Sequence, residues 1–259
     1  MAARPHPDWL RPTWAAPGAG ALMSTRHGGV SEGLFESLNL RDGLGDTPAA
    51  VAHNLQRFAA SLGAPPQWLT QVHGSRVRRL QAGAPALRGD DAQADASITT
   101  ERGVACAIQV ADCLPVLFAA AGADGRAVAV GAAHAGWRGL AAGVLEATLA
   151  ALCDACGATP PQVQAWLGPC IGPRRFEVGA DVLLAFGADP EGDASPRFIG
   201  QGGGKWLADL AGLARDRLQA AGVAQVDGGR WCTVEDASRF FSYRRDGVTG
   251  RMAAAVWLD

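Results

Sequence analysis

The sequence predicts a single domain of mixed α and β structure. Its 259 residues are 48% hydrophobic and 19% charged, which is the composition of a folded chain with a sizeable core. A chain of this length buries roughly 70% or more of its unfolded surface. Short apolar segments bounded by glycine and proline alternate with longer helical patterns, and no linker divides them.

The first residues of the chain predict an extended segment that precedes this domain. Proline restricts both itself and the residue before it to extended conformations. Trp9 and Trp14 are the large apolar side chains through which the segment would pack. We therefore expect residues 1–20 to lie along a domain formed by residues 21–259. The prolines in question are Pro5, Pro7, Pro12 and Pro17.

Apolar segments predict the strands, and longer patterns that end at or near glycine predict the helices. The strand segments consist of β-branched or small apolar residues and end in turn-forming or polar residues. They are expected at residues 21–25, 77–80, 103–111, 116–120, 127–133, 163–167 and 252–258. Helices begin at capping residues or proline and stop near glycine. They are expected from Asp46-Thr47-Pro48 to about residue 62, from about 140 to 156, and from about 205 to 221.

Charge and cysteine content exclude several classes of protein. The formal net charge of −2 gives no general attraction for nucleic acid or anionic lipid. No apolar run approaches the ~20 residues that span a bilayer, and the amino terminus lacks the apolar block of a signal peptide. The six cysteines are too sparse for a disulfide framework. We therefore expect a cytoplasmic protein, monomeric or a small homo-oligomer, that binds neither nucleic acid nor membrane.

Cys113, His73 and His134 form the candidate reactive centre. Two of the five histidines lie beside glycine-containing turns after apolar segments, in QVHG and AHAGWRG. Cys113 lies where two predicted strands join, and polar residues at the ends of buried strands often build sites. Two imidazoles and one thiolate suit zinc and leave one tetrahedral position for water or substrate.

The same three residues fit two other interpretations. A histidine within hydrogen-bond reach would activate Cys113 as a nucleophile. Alternatively, buried histidines bonded to backbone groups, beside a buried thiol, would explain the pattern without chemistry. Spacing does not decide among the three, because these residues form no short CxxC or HxxxH ligand pair.

Two neighbouring polar residues have either a chemical or a structural interpretation. Asp112, next to Cys113, would orient a histidine or act as a general base. A strand-end turn or a helix cap explains Asp112 equally well. Asn39, in SLNL, would contact a ribose or a base edge, although turn formation is the usual role of asparagine.

Three arginines are candidates for binding an anionic substrate group. Arg26, Arg138 and Arg244 lie beside turns or aromatic residues, and the guanidinium fork suits phosphate or carboxylate. Each alone is more often part of a surface salt bridge. Arg138 is favoured because the helix predicted to start after it offers free N–H groups to an anion.

Six motifs occur in order across most of the chain, and together they resemble one protein family. They are STRHGGVSEGLFESLNL, QVHG, ADCLPV, AHAGWRG, GPCIGP and DLAGLARDRLQAAGV, followed by CT and SYRR. This series resembles the YfiH-type family of laccase-domain, or polyphenol-oxidase-like, proteins. One departure is NLRDGLGD, where many relatives have a glycine and a histidine between NL and GD. It alters a loop that would contact substrate.

The resemblance implies a fold, a metal and an activity. The implied fold is α+β, a layered α/β/β/α sandwich that forms a single catalytic domain. The implied metal is zinc, with copper possible, held by His73, Cys113 and His134. The implied reaction is phosphorolysis of adenosine, inosine, guanosine and 5′-methylthioadenosine to free base and ribose 1-phosphate or its 5-methylthio analogue. The expected partners are thus purine nucleosides and phosphate, which the arginines would bind.

Other activities stay open at this point. The resemblance also implies adenosine deamination, which the ligand set suggests by itself, with Asp112 as the candidate proton shuttle. Multicopper oxidation of phenols needs more histidines than the chain provides. A metal-independent cysteine hydrolase would be inhibited by alkylation and indifferent to chelators. A metal-binding module would bind metal without turnover.

Overall fold

Apolar strands and glycine-bounded helices make up most of the chain. A computed structural model describes residues 4–14, 16–192 and 195–259. Its strands are β1 Ala19–Met23, β2 Pro66–Gln67, β3 Val77–Arg79, β4 Ala96–Thr99, β5 Ala105–Val110, β6 Leu114–Ala121, β7 Ala127–Ala135, β8 Val163–Leu167, β9 Glu177–Val178, β10 Phe198–Gly202, β11 Lys205–Ala208, β12 Gln225–Gly228 and β13 Met252–Leu258. Its α-helices are α1 Pro48–Ala60, α2 Trp137–Ala141, α3 Val144–Cys156, α4 Ala180–Ala185, α5 Leu210–Ala220 and α6 Tyr243–Asp246.

Two larger sheets and one smaller sheet organise these elements. The six-stranded sheet has the order β12-β8-β6-β7-β4-β3, and the four-stranded sheet has the order β1-β13-β5-β2. The central strands pair antiparallel, whereas β3–β4, β8–β12 and β2–β5 pair parallel at or near the sheet edges. The third sheet, β10-β11-β9, adds its apolar residues to the core under the six-stranded sheet.

Alternate residues of the strands face different cores, and this alternation produces four layers. Ile108 and Leu117 lie in the core between the two larger sheets. The outer face of the four-stranded sheet packs on α1 through Phe58. The outer face of the six-stranded sheet packs on α3 and α5 through Leu149 and Leu213. The helix, sheet, sheet, helix order confirms the predicted α+β class.

One edge of the core between the sheets collects the ends of four strands. The segment between β5 and β6 crosses from the four-stranded sheet to the six-stranded sheet, and Asp112 in it adopts a φ of +85°. Val110, at the end of β5, pairs with Met252 at the start of β13. Leu114, at the start of β6, pairs with Ala135 at the end of β7. Polar residues at these four ends are therefore neighbours.

The segment before β1 contacts the rest of the chain through its tryptophans. Trp9 is buried, and its ring centroid lies 5.6 Å from that of Phe58. Trp14 is partly buried against the core between the sheets. Residues 1–3 and 15 of the predicted segment lie outside the described residues. In the parts of the chain that are described, no helix has the length and apolar character needed to cross a bilayer.

The helix predicted over residues 140–156 is divided in two. Gly143 adopts a φ of +89°, a conformation that favours glycine, and it separates α2 from α3. The helical region also begins earlier than predicted, at Trp137. His134, expected just beyond its strand, lies inside β7.

The prediction of a helix from about residue 205 was wrong for its first turn. Gly202, Gly203 and Gly204 adopt positive φ angles of 82°, 60° and 70°, so the chain turns back and β11 pairs with β10. The helix starts only after Asp209, whose Oδ1 accepts a hydrogen bond from Gly212 N at 2.8 Å. Strands β2, β4, β9, β10 and β12 were also not predicted.

We expect Gly63→Ala to destabilise the fold by about 1–3 kcal/mol, because it overpacks a filled site. A Cβ on Gly63 would come 2.2 Å from Trp257 Nε1. Urea denaturation measures the loss. The matched control is Gly200→Ala, whose Cβ would meet only Trp206 at 3.8 Å and which should stay within ~0.5 kcal/mol of wild type. Equal stability of the two variants would contradict this packing.

Candidate active site

The carboxylate of Asp95 fixes the positions of both candidate histidines. Asp95 is fully buried just before β4. Its Oδ1 contacts His134 Nδ1 at 2.8 Å and accepts a bond from His73 N at 2.9 Å. Its Oδ2 accepts bonds from Gly74 N at 2.7 Å and Val72 N at 3.1 Å. The loop of QVHG thus wraps around a carboxylate that also orients the second histidine.

Cys113 completes the group at the crossover between the sheets. Its Sγ lies 3.7 Å from His73 Nε2, and the rings of His73 and His134 meet edge to face with centroids 4.7 Å apart. The ligand atoms of the three residues lie within 4.8 Å of one another. Gly136 allows this approach, because a Cβ there would come 2.9 Å from both Cys113 Sγ and His73 Cδ2.

Hydrogen bonds decide the charge state of the group. Burial raises the pKa of Cys113, but hydrogen bonds with His134 and His73 outweigh it and lower the pKa to about 6. Burial lowers the pKa of His134, but bonds to Asp95 and Cys113 outweigh it and raise the pKa to about 9. Burial raises the pKa of Asp95, whereas bonds from His134 and Gly74 bring it below its ordinary value. The group therefore favours a thiolate, the form of cysteine that binds metals.

The donor set fits a zinc ion. Three donors of nitrogen, nitrogen and sulfur type converge, and one tetrahedral position stays open. His134 contacts a carboxylate through its Nδ1, which leaves Nε2 as the ligand atom and matches the usual outer support of metal-bound histidine.

Two cavities meet at this group. His73, Ala111, Cys113 and Tyr243 line both. The first, which we call the polar cavity, has a volume of about 360 Å³ and is also lined by Arg41, Leu44, Gln71, Gln109, Val110, His134 and Arg251. The second, which we call the apolar cavity, has a volume of about 270 Å³ and is also lined by Asp112, Trp137, Arg138, Ile171, Phe176, Leu210 and Arg244.

Arg138 and Arg244 lie in the apolar cavity beside aromatic rings. The Arg138 guanidinium stacks over Trp137 at 4.3 Å from the ring centroid. The Arg244 guanidinium lies 5.5 Å from the centroid of Phe176 and donates to the carbonyl of Glu177 at 3.0 Å. Both side chains are exposed.

Arg26 is a candidate that the structure places elsewhere. Its guanidinium donates to the carbonyls of Glu36 and Ala237, each at 2.9 Å, and lies over Phe241. It lines neither cavity. Its donors hold loops together, so a role in substrate binding is not supported.

Asp112 is occupied by structural hydrogen bonds. Its Oδ1 accepts from the Thr233 hydroxyl and its Oδ2 from Arg244 N, both at 2.6 Å. With its positive φ, Asp112 anchors the crossover segment to helix α6, which bears Arg244. This geometry favours the turn-forming interpretation over a general base.

Asn39 is fully buried, and both atoms of its side-chain amide are bonded to protein groups. Its Oδ1 accepts from Arg41 N at 3.1 Å and from Arg251 N at 3.0 Å. Its Nδ2 donates to Arg41 O at 2.9 Å and to Asp46 Oδ2 at 3.0 Å. Asn39 therefore positions two cavity arginines rather than facing the cavity itself.

Sequence reasoning missed three residues that define the site: Asp95, Arg41 and Arg251. Asp95 directly precedes β4. Because this strand was not predicted, the sequence did not show that Asp95 lies at the end of a strand. Arg251 directly precedes the correctly predicted strand β13, and the strand-end rule applied to Cys113 would have found it. Arg41 lies in the NLRDGLGD segment, whose departure from the family pattern was the available signal.

The chain is similar to known proteins over nearly its whole length. A family model described as multi-copper polyphenol oxidoreductase laccase matches residues 20–259. The chain belongs to this family. A purine nucleoside phosphorylase of Pseudomonas aeruginosa is 47% identical over 253 residues, which cover 97% of this chain and 98% of that protein. The purine nucleoside phosphorylase YfiH of Escherichia coli is 49% identical over 250 residues, 95% of this chain and 97% of that protein. The resemblance to YfiH-type proteins is thus confirmed.

Solved structures of similar proteins share the fold over nearly the whole chain. A crystal structure of a Neisseria meningitidis protein has a TM-score of 0.86 and 47% identity, and covers 97% of this chain and 99% of that chain. The structure of YlmD from Geobacillus stearothermophilus has a TM-score of 0.86 and 32% identity, with coverage of 99% and 98%.

We expect Asp95→Asn to weaken zinc binding roughly 10- to 100-fold, as outer-sphere changes at metal sites do. The two carboxylate oxygens of Asp95 together accept four hydrogen bonds. Asparagine has only one side-chain oxygen, so its NH2 group would replace an acceptor with a donor. Competition with a chelator of known zinc affinity measures the change. The control Asp124→Asn alters an exposed turn residue that accepts from Arg126 N and should bind zinc as wild type does. Unchanged affinity in Asp95→Asn would refute this role.

Proposed function

We propose that this protein is a purine nucleoside phosphorylase whose reaction takes place at a zinc site formed by His73, Cys113 and His134. The observation that carries the proposal is the convergence of these three donors within 4.8 Å at the junction of two cavities. Full-length similarity to proteins named purine nucleoside phosphorylase supports the class of reaction. The substrates would be adenosine, inosine, guanosine and 5′-methylthioadenosine. The products would be free base and ribose 1-phosphate or its 5-methylthio analogue.

The apolar cavity suits the purine. Trp137 and Phe176 contribute aromatic rings to its lining, each beside an arginine, and Ile171 and Leu210 contribute apolar side chains. A purine stacked there would keep its sugar at the mouth shared with the polar cavity, next to Cys113. Aromatic stacking does not depend on which base is bound and is typically worth ~1–3 kcal/mol. This agrees with a site that accepts several purines.

The residues of the chain have distinct roles in this proposal. A bound zinc would supply Lewis acidity towards a substrate oxygen. Asp95 holds the two histidines in the orientation that binding requires. Tyr243 lies at the rim of both cavities and is 60% exposed, so it would limit water access to the bound sugar.

Adenosine deamination is a second candidate because the three-donor set leaves one open tetrahedral position. Asp112 is a poor proton shuttle for it, since both of its oxygens accept hydrogen bonds. Another group would have to transfer the proton.

Multicopper oxidation, the chemistry in the family description, is not supported by the positions of the histidines. His6 and His27 contact Asp8 near the amino terminus, and His53 lies on α1. Only two histidines reach the cavities. Several copper centres need many more ligands than this.

We expect zinc-loaded enzyme to release adenine from adenosine and hypoxanthine from inosine only when phosphate is present. Cys113→Ala and His73→Ala should each lose more activity than the roughly 10- to 100-fold that outer-sphere changes cost, because each removes a metal donor. Chromatography of bases and ribose 1-phosphate, with and without chelator, measures the reaction. Cys153→Ala and His53→Ala, which alter residues outside both cavities, are the matched controls and should stay active.

Each alternative predicts a different result in the same assay. Inosine formed from adenosine without phosphate would make deamination the main reaction. Activity that resists chelators but not alkylation would indicate a cysteine hydrolase. Zinc binding without any turnover would indicate a metal-binding module.

A further inference from the structure

Arg41 and Arg251 line the polar cavity without an acidic partner. Within the described residues neither forms an ion pair, although most of the cavity's other polar side chains are bonded. One nitrogen of the Arg251 guanidinium, Nη1, donates to the carbonyls of Thr249 and Gly250 at 2.9 and 3.1 Å. No hydrogen bond of the Arg41 guanidinium is found in that part of the chain. Most donors of both forks are therefore free for a ligand.

A buried anchor holds the two arginines together. The single side-chain oxygen of Asn39 accepts the backbone N–H of both Arg41 and Arg251. These residues come from opposite ends of the sequence, so the pairing is a product of the fold. It brings two positive charges to one wall at an electrostatic cost.

The cost is visible at Arg251. Burial lowers its pKa, and the positive charge of Arg41 lowers it further, against smaller opposite effects of Cys113 and Asp112. Two half-buried guanidinium groups that lack a carboxylate partner attract an anion. The bound anion would neutralise their charge and accept hydrogen bonds from their free N–H groups. A pair of arginines without a carboxylate partner thus indicates an anionic ligand.

The polar cavity suits phosphate better than the apolar cavity does. Asp112 contributes a carboxylate to the apolar cavity, which would repel a phosphate dianion. The polar cavity contains no carboxylate among its lining residues. Its two glutamines are already bonded, Gln71 to the backbone of Gln109 and Gln109 to the carbonyl of Leu40. The arginines are left as its principal free donors.

We propose that Arg41 and Arg251 bind the inorganic phosphate that attacks the nucleoside, from the side of Cys113 opposite the purine. This inference rests on the proposed function. An oxygen of phosphate forms a bond to C1′ while the bond from C1′ to N9 breaks and its electron pair stays on N9. The proton of the phosphate passes to the purine. Ribose 1-phosphate is left in the polar cavity and the base in the apolar cavity.

The first test is direct binding of inorganic phosphate to zinc-loaded enzyme by calorimetry. Arg41→Gln and Arg251→Gln should each weaken binding roughly 10- to 100-fold, the usual effect of losing charge-assisted hydrogen bonds. Arg138→Gln should bind as wild type, as should the control Arg79→Gln, which lies on β3 and bonds to Thr100. Zinc content and circular dichroism check folding. Arg41 lies on a loop, so its variant tests the inference even if the Arg251 variant is unstable.

The second test separates the two substrates kinetically. In Arg41→Gln the KM for phosphate should rise at least tenfold, whereas the KM for inosine should stay within twofold. Unchanged phosphate binding in both Arg41→Gln and Arg251→Gln would overturn the inference. An equal or greater loss of phosphate affinity in Arg138→Gln would also overturn it. Binding of AMP but not of inorganic phosphate would overturn the assignment to a co-substrate. Because calorimetry needs no turnover, failure of phosphorolysis would count against the proposed function and not against the anion site.

Discussion

The carboxylate of Asp95 is the interaction on which the site depends. It accepts three backbone N–H groups from the loop that carries His73, which adopts a φ of +62°. It also contacts His134, which lies on a different strand. A buried carboxylate is stable only when its oxygens are hydrogen-bonded. Loop and strand therefore satisfy the carboxylate, and the carboxylate fixes both histidines.

The layered fold explains why these groups meet at one place. The core between the sheets is filled with apolar side chains, so polar groups gather where strands end at its edge. Cys113 arrives there as the chain crosses between the sheets, and Arg251 arrives there as β13 begins. Asn39 adds the loop of Arg41 to the same edge. The resulting site combines the candidate metal donors His73, Cys113 and His134 with aromatic and cationic side chains.

The sequence predicted the parts of this arrangement that depend on local pattern. The apolar runs of β5 to β8 and β13 were correct because buried strands need no partner to be recognised in sequence, and the His–Cys–His group followed from strand ends and motifs. Features that depend on the pairing of distant residues were missed. Asp95 and the Asn39 anchor act across the fold, and the β10–β11 hairpin arises because three successive glycines adopt positive φ angles. The substrate-binding role predicted for Arg26 stays an untested prediction, and its donors are taken by backbone carbonyls that the sequence does not show to be near.

Tyr243 is the only tyrosine in the chain, and it stands where the two cavities meet. Biosynthetic incorporation of fluorotyrosine would therefore label the molecule at one position and produce a single fluorine resonance. Its ring lies 5.9 Å from the guanidinium of Arg251 in the polar cavity, and Tyr243 also lines the apolar cavity. One spectroscopic signal would thus report which cavity is filled, in what order, and how fast each ligand leaves.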